Sequence, residues 1–372
     1  MTRKVAFLFL GETLLIPHLY PIVEAVMAAE PDLPIDLWVS TSMHAALLAG
    51  WLGEPRHNVR IRRAPGFRNL RDHEEGRNPP LPAKLPMLLR LLPYLARTPV
   101  VVCAEQTSLW LPALFPLKTR FIDTFHGAGS MMAKGHWRRR AGWRTLVAAE
   151  RDRRALIAGG DSPDRIVTTG YVKAAFGQRT PAAHLFADDK PVVLYTPHWQ
   201  AYRSSWWRWG RDVVERVLAD GRYNLIFAPH QRLVERAPDV RAFAEGLAGR
   251  PGVHTDLDSF AMVDGSYTAA ADVYLGDTSS QVVEYMIRPR PCVFLNALSA
   301  DWRTDPSHAM WSGGEVVETL DALIPALTRA PAAQEGFAAF QRGFDADAFG
   351  DISGHAPTRA AREVIAALAN DV

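Results

Sequence analysis

A chain of 372 residues has room for two domains or for one large one. Apolar residues make up 48% and charged residues 22%, the balance of an ordinary globular protein. The 42 Lys and Arg against 40 Asp and Glu leave a net charge of +2, and no nucleic-acid-binding motif accompanies the cations, which excludes that class of partner.

The N-terminal MTRKVAFLFLGE is too short an apolar run for a signal peptide, and no small-x-small site follows it. Lys4–Leu10 therefore reads as the first strand. A helix is expected from about Leu14 to Ala29 and a strand at Ile35–Ser40, a spacing that predicts a βαβ unit and a parallel sheet. His44–Leu52 reads as a helix and Val59–Arg63 as a short strand. Gly66–Lys84, rich in Pro, Gly and charge, reads as a loop. Leu85–Ala96 (LPMLLRLLPYLA) predicts an amphipathic helix on the sheet, with a membrane-surface helix as the alternative. No stretch is long and apolar enough to span a bilayer.

Pro99–Ala104 and Arg120–Thr124 read as buried strands, and the second runs into FIDTFHGAGS. There His126 precedes Gly127 and Gly129, residues that let the backbone approach a ligand closely. A His at that point exchanges protons near neutral pH. Lys134–Arg154 concentrates cations around Trp137 and Trp143, with a strand expected at Thr145–Ala149 and a helix from Arg151 to Ala158. This run is either a solvated basic surface or a contact for an anionic acceptor or membrane. Arg165–Tyr171 reads as the last strand of the first half. Gly177–Lys190 reads as the linker between an N-terminal domain of residues 1–178 and a C-terminal domain of 179–372.

Pro191–Gln200 (PVVLYTPHWQ) is a strand that ends at His198. Trp206, Trp207 and Trp209 after it read as aromatics under a helix, or as the lining of an acceptor cleft. Tyr223–Arg232 (YNLIFAPHQR) is a strand that ends at His230. His126, His198 and His230 thus each follow a buried strand, and in an open parallel sheet those strand ends line one rim. Their spacing is not that of a zinc site, so no metal and no cofactor is expected. His254–Phe260 closes a further strand before a helical segment at Met262–Ala270.

Ala271–Leu275 is a short strand that runs through Gly276, Asp277, Thr278, Ser279 and Ser280 into a helix at Gln281–Met286. Hydroxyls at that turn cap the helix, and with its free N–H groups they suit an anion. Glu284 sits a turn further on, within reach of a ribose hydroxyl. Pro291–Asn296 reads as the final strand, Trp302–Gly314 as loop, and Leu320–Thr328 and Pro357–Ala369 as helices, the last packing back across the domains. Cys103 and Cys292 sit in apolar runs and read as buried and reduced, as in a cytoplasmic protein.

The stretch ADVYLGDTSSQVVEYMIRPRPCVFLN resembles the donor-binding segment of the CDP-glycerol glycerophosphotransferases that build teichoic-acid-type polymers. The match lies at Asp277, Ser279, Ser280, Arg290 and Pro291, with Thr278 in place of the usual Tyr. FHGAGS resembles the family's His-Gly-Thr motif with Ala128 for Thr. TPHW resembles its strand-Ala-Pro-Thr/His-Trp motif, and APHQ its Arg/Lys-Pro-His-Pro motif with Gln231 for the second Pro. Gly170, Tyr171 and Lys173 keep part of a further motif, whose Asn-Asp pair is replaced by Ala174 and Ala175.

The resemblance implies an α/β protein of GT-B architecture: two Rossmann-like domains whose parallel sheets face each other across a cleft. It implies a transferase that moves a glycerol-phosphate-like group from a CDP-activated polyol to an anionic or glycan polymer, or to its lipid-linked precursor. Such an enzyme works at the inner face of the cell membrane as a peripheral protein. His126 would be the base for the acceptor hydroxyl, with His198 assisting. His230, Ser279 and Ser280 would neutralise the pyrophosphate and departing CMP. Asp277, Thr278, Glu284, Gly127, Gly170 and Lys173 would complete the donor site. A nucleotide-sugar glycosyltransferase, a UDP-sugar 2-epimerase and a non-catalytic nucleotide-binding module remain alternatives.

Overall fold

The computed structural model describes residues 3–54, 56–70, 81–126, 135–177 and 185–369. Its first half runs β1 (Val5–Phe9), α1 (Ile16–Ala29), β2 (Ile35–Thr41), α2 (Ser42–Leu52), β3 (Val59–Arg68) and α3 (Lys84–Leu95). It continues with β4 (Val100–Cys103), α4 (Trp110–Leu114), β5 (Arg120–Thr124), β6 (Arg144–Val147), α5 (Glu150–Ala158) and β7 (Ile166–Thr168). These strands form one parallel sheet in the order β3-β2-β1-β4-β5-β6-β7, with Val5 paired to Ile35 on one side and Val100 on the other. Strands such as VAFLF and VVVC are buried along their whole length, the signature of a parallel sheet covered on both faces.

The second half runs β8 (Val192–Thr196), α6 (Trp206–Asp220), β9 (Asn224–Phe227), α7 (Gln231–Arg236), α8 (Pro238–Gly246), β10 (Val253–Thr255) and α9 (Ser266–Ala270). Then come β11 (Val273–Gly276), α10 (Ser280–Met286), β12 (Cys292–Leu295), β13 (Glu315–Val317), α11 (Leu323–Phe349) and α12 (Ala356–Ala369). Its sheet is also parallel, in the order β10-β9-β8-β11-β12-β13. In each sheet the order reverses beside the first strand, between β1 and β4 and between β8 and β11. Loops diverge at such a point and leave a crevice at the carboxyl rim.

The chain crosses back at its end. α11 packs Leu323, Ala326 and Leu327 into the second core, and Phe349 at its far end stacks on Tyr171 at 4.2 Å. α12 then lays Ala356, Ala360, Ala361, Val364 and Ala367 into the core of the first sheet beside α1. Alanines at these positions let two helices approach closely. The return is tied by Tyr171 N–H to the Asp351 carbonyl (3.0 Å) and by Arg359 Nε to the Thr169 carbonyl (2.6 Å).

Several expectations from the sequence change here. Pro291–Asn296 does not hold the last strand, because β13 pairs beyond β12. The stretch expected as loop at 302–314 contains a 3-10 segment, Pro306–Gly313, with His308, Met310 and Trp311 buried. The helix expected to stop at Thr328 runs on through Pro331 to Phe349. The strand expected to end at His230 stops at Phe227, and two short helices follow. Trp206 is buried, while Trp207 is 46% exposed.

Gly170, expected at the donor phosphates, lies under the C-terminal return instead. Its φ is +90°, and a Cβ there would sit 2.5 Å from the Asp351 carbonyl oxygen and 2.7 Å from Arg359 Nη2. The position needs glycine for packing. Gly170→Ala is therefore expected to cost about 2–4 kcal/mol, from backbone strain and overpacking together. Urea midpoints measure this, and an unchanged midpoint would refute the close approach.

Candidate functional site

The residues singled out in the sequence converge unevenly. A cavity of about 190 Å³ opens between the two halves, lined by His18, His126 and Lys173 on one side. His230, Gln231, Ser280, Gln281 and Glu284 line the other side. An adjoining cavity of about 180 Å³ shares Lys173 and Glu284 and adds Tyr171, Asp264, Arg288 and Arg290. The first half contributes the end of β5, the start of α1 and the segment after β7. The second contributes the turns after β9 and β11.

Each histidine has a reason for its state. His230 caps α7, with Nδ1 accepting the Arg232 backbone N–H at 3.1 Å. Nδ1 is thereby an acceptor, so the neutral ring carries its proton on Nε2. Burial, with the nearby Arg232 charge, lowers its pKa to about 4. His198 repeats the arrangement: Nδ1 accepts the Gln200 N–H at 3.1 Å, and burial with the charges of Arg203 and His230 lowers it to about 3. His198 stands 5.8 Å from the His230 ring and backs it without lining the cavity.

His126 keeps an exposed face, yet desolvation among its neighbours lowers its pKa below 6.5 against the opposing charge of Asp123. An interaction with the Ala104 backbone opposes the fall, and in the neutral ring one nitrogen carries the proton while the other keeps its lone pair. A neutral imidazole with a free lone pair can take a proton, and one presenting Nε2–H can steady an oxyanion.

His18 was not foreseen. It lies inside an apolar helical run (IPHLYPIV), where a lone His looks like a core residue. α1 turns it toward the cavity, 6.1 Å from the His126 ring and 5.7 Å from Tyr171. Burial, then the Lys173 charge, then His126, hold it well below its ordinary range.

Glu284 joins the halves. Its carboxylate accepts from Lys173 Nζ at 2.7 and 2.9 Å and from the Tyr171 hydroxyl. A second pair, Arg232 Nη2 to Glu12 Oε1 at 2.6 Å, crosses the cleft near His230.

The DTSS turn divides its labour. Asp277 was expected in the donor site, but its carboxylate is buried beneath it. It accepts the backbone N–H groups of His198 (2.9 Å) and Ser205 (3.0 Å), binding the loop after β8 to the turn after β11. Burial raises its pKa to about 6 against those bonds. Thr278 is also fully buried and does not line the cavity. Ser279 caps α10 by accepting the Val282 N–H at 3.3 Å, and Ser280 alone of the four lines the cavity. Gly127 lies outside the described residues. Among the described residues no cluster of three His, Cys, Asp or Glu could hold a metal ion.

Much of the basic run at 134–154 is internally paired: Arg139 to Asp123 at 2.9 Å, Arg140 to Asp161 at 3.2 Å and Arg151 to Asp347 at 3.2 Å. Among the described residues no helix is long and apolar enough to cross a membrane.

No protein-family profile and no curated protein sequence matches this chain. Its fold is similar to several solved structures. One is a putative UDP-N-acetylglucosamine 2-epimerase from Listeria monocytogenes, at TM-score 0.65 and 13% identity over 97% of this chain and 95% of that one. The wall teichoic acid polymerase TagF, soaked with CDPG, aligns at TM-score 0.64 and 14% identity over 98% and 88%. MnaA of S. aureus in complex with UDP aligns at TM-score 0.63 and 13% identity over 96% and 95%. At these identities the likeness shows the fold: two Rossmann-like domains in the GT-B arrangement.

The buried histidines make stability sensitive to acid. The unfolded chain takes up the His230 proton near pH 6.5, the folded chain only near 4. The stability this contributes is full above 6.5 and is lost as pH falls from 6.5 through 4. Replacing His230 by Asn removes that part of the loss. The gap between the urea midpoints of wild type and His230→Asn should therefore change in the wild type's disfavour as pH falls through the window. Parallel midpoint curves would refute it.

Proposed function

We propose that this chain is a transferase that moves a glycerol-phosphate-like group from a CDP-activated donor to a hydroxyl of a surface polymer or its lipid-linked precursor. The observation that carries the reading is one cavity lined from opposite halves by His126 and His230, with Lys173, Ser280 and Glu284 between them. TagF, solved with CDPG, shares the fold, and the motifs around these residues resemble the glycerophosphotransferases.

In this reading the acceptor oxygen attacks the phosphorus of the transferred group. Its proton passes to the free ring nitrogen of His126 as the new P–O bond forms. The bond from phosphorus to the CMP oxygen breaks, and CMP leaves with the electron pair. His230 Nε2–H and the Ser280 hydroxyl steady the departing phosphate, and Lys173 supplies positive charge once its carboxylate partner turns to the donor. Such chemistry depends on positioning and charge stabilisation more than on covalent help.

A nucleotide-sugar enzyme on the same frame is the second reading, favoured by the 2-epimerase and UDP-bound structures among the similar folds. A panel of CDP-glycerol, CDP-ribitol, UDP-sugars and GDP-sugars, read by nucleotide release, separates the two. Release from the CDP-polyols supports the transferase, and release from the sugars alone overturns it.

His126→Ala should lower transfer by about 10²–10⁴-fold and leave donor affinity nearly intact. Near-normal turnover would remove it as the base. Ser280→Ala should lose one hydrogen bond to a charged group, worth roughly 1.5–3 kcal/mol of donor binding. Ser280→Asp should bind far more weakly still while remaining folded, because Asp suits a helix start but repels phosphate. Calorimetric titration with CDP-glycerol and thermal melts test the pair, and an Asp variant with wild-type affinity would remove this turn from the site.

A further inference from the structure

His18 departs from a rule that the other buried histidines keep. It lies in the first turn of α1, after Pro17, and is 6% exposed. A buried ring nitrogen normally finds a hydrogen-bond partner. His44 Nδ1 meets Thr41 Oγ1 at 2.7 Å, His198 Nδ1 accepts the Gln200 N–H at 3.1 Å, and His308 Nδ1 meets Asp305 Oδ2 at 3.0 Å. The His18 ring lies beside those of His126 and Tyr171, yet within the described residues it makes no hydrogen bond.

Unmade hydrogen bonds in a buried place cost stability, and a leucine such as Leu19 beside it would avoid that cost. The packing of α1 therefore gives no reason for a histidine here. The cavity does. His18 lines it together with His126 and Lys173, all three from the first half, opposite His230, Ser280 and Gln281 of the second. The start of α1 adds to this wall: Leu15 offers no side-chain cap, and the positive end of the helix dipole lies at that turn. The carboxylates nearby are already engaged, Glu284 by Lys173 and Tyr171, and Glu12 by Arg232.

We propose that His18 is a catalytic residue of the cleft, whose ring N–H donates to a non-bridging oxygen of the phosphoryl group as it passes from CMP to the acceptor. The inference rests on the transferase reading above. There His126 takes the acceptor proton, and His230 and Ser280 hold the departing phosphate. The group in flight needs a donor of its own, because negative charge spreads over its equatorial oxygens. A ring set in the first turn of a helix and packed against Tyr171 is placed before the charge develops, which is what such stabilisation requires. His18 moves no proton: the bond from the acceptor oxygen to phosphorus forms, the bond to CMP breaks with its electron pair, and the imidazole stays neutral throughout.

Turnover of CDP-glycerol by the full chain and two variants tests this. His18→Leu keeps much of the volume and removes the donor. It should lower kcat about 10²–10³-fold while the calorimetric Kd for CDP-glycerol stays within about threefold, the split expected of a contact made chiefly in the transition state. His18→Gln restores an N–H donor and should recover at least about tenfold of that loss. A Leu variant with near-normal kcat would overturn the proposal. So would a Gln variant no better than Leu, or a Leu variant that melts well below wild type, since either marks a packing role.

A second arm needs no turnover. In protein carrying nitrogen-labelled histidine, pyrophosphate should shift one ring signal, and that signal should be missing from His18→Gln. A His18 signal that pyrophosphate leaves unmoved would remove the contact. If the signal moves while no CDP-polyol is turned over, the transferase reading fails and the phosphate contact at His18 stands.

Discussion

The Glu284 carboxylate is the contact on which the cleft depends. It sits on α10 of the second half and is held by Lys173 and Tyr171 from the segment after β7 of the first. Both partners of the ion pair are largely shielded, with side chains 12% and 15% exposed, so solvent screens it little. Removing one partner would strand the other charge in a poorly hydrated place, which costs far more than a surface pair is worth. Both cavities run along this cluster. A ligand that claims Glu284 must therefore free Lys173, and the freed ammonium is then available to an anion.

Burial governs the rest of the rim. His18, His126, His198 and His230 are all pushed toward the neutral form, chiefly by desolvation. An empty site of this kind carries little net positive charge from its histidines. Neutral rings avoid the cost of several buried like charges at one rim. Asp277 works in the opposite sense below: its carboxylate answers backbone N–H groups from the loop after β8 and gives His198 and Ser205 fixed places.

The first half is closed by two unlike helices. α12 reaches it from the far end of the chain and packs with small residues against α1. α3 covers the other face with Met87, Leu88, Leu91 and Leu95 and leaves Leu85 and Leu89 outside.

The sequence by itself determined the strands, the parallel sheets and the idea of histidines at strand ends. These follow from local chemistry: an apolar run of four to seven residues has few ways to bury both faces, and a parallel strand must hand its chain to a loop at one rim. His126, His230, Ser280 and Glu284 were legible for that reason. Asp277 and Thr278 look like ligands in the same turn, yet only the neighbouring loop decided that they lie under the site, since a side chain's direction there depends on a partner some eighty residues away. Gly170 was legible as a special glycine, but what demands it is the carbonyl of Asp351 from the other end of the chain. His18 could not be separated from core in a sequence whose neighbours are Ile16, Leu19 and Ile22. The length of α11 was hidden by Pro331, which locally argues for a stop; the helix runs on because both ends are anchored in packed cores, and burial outweighs one lost hydrogen bond.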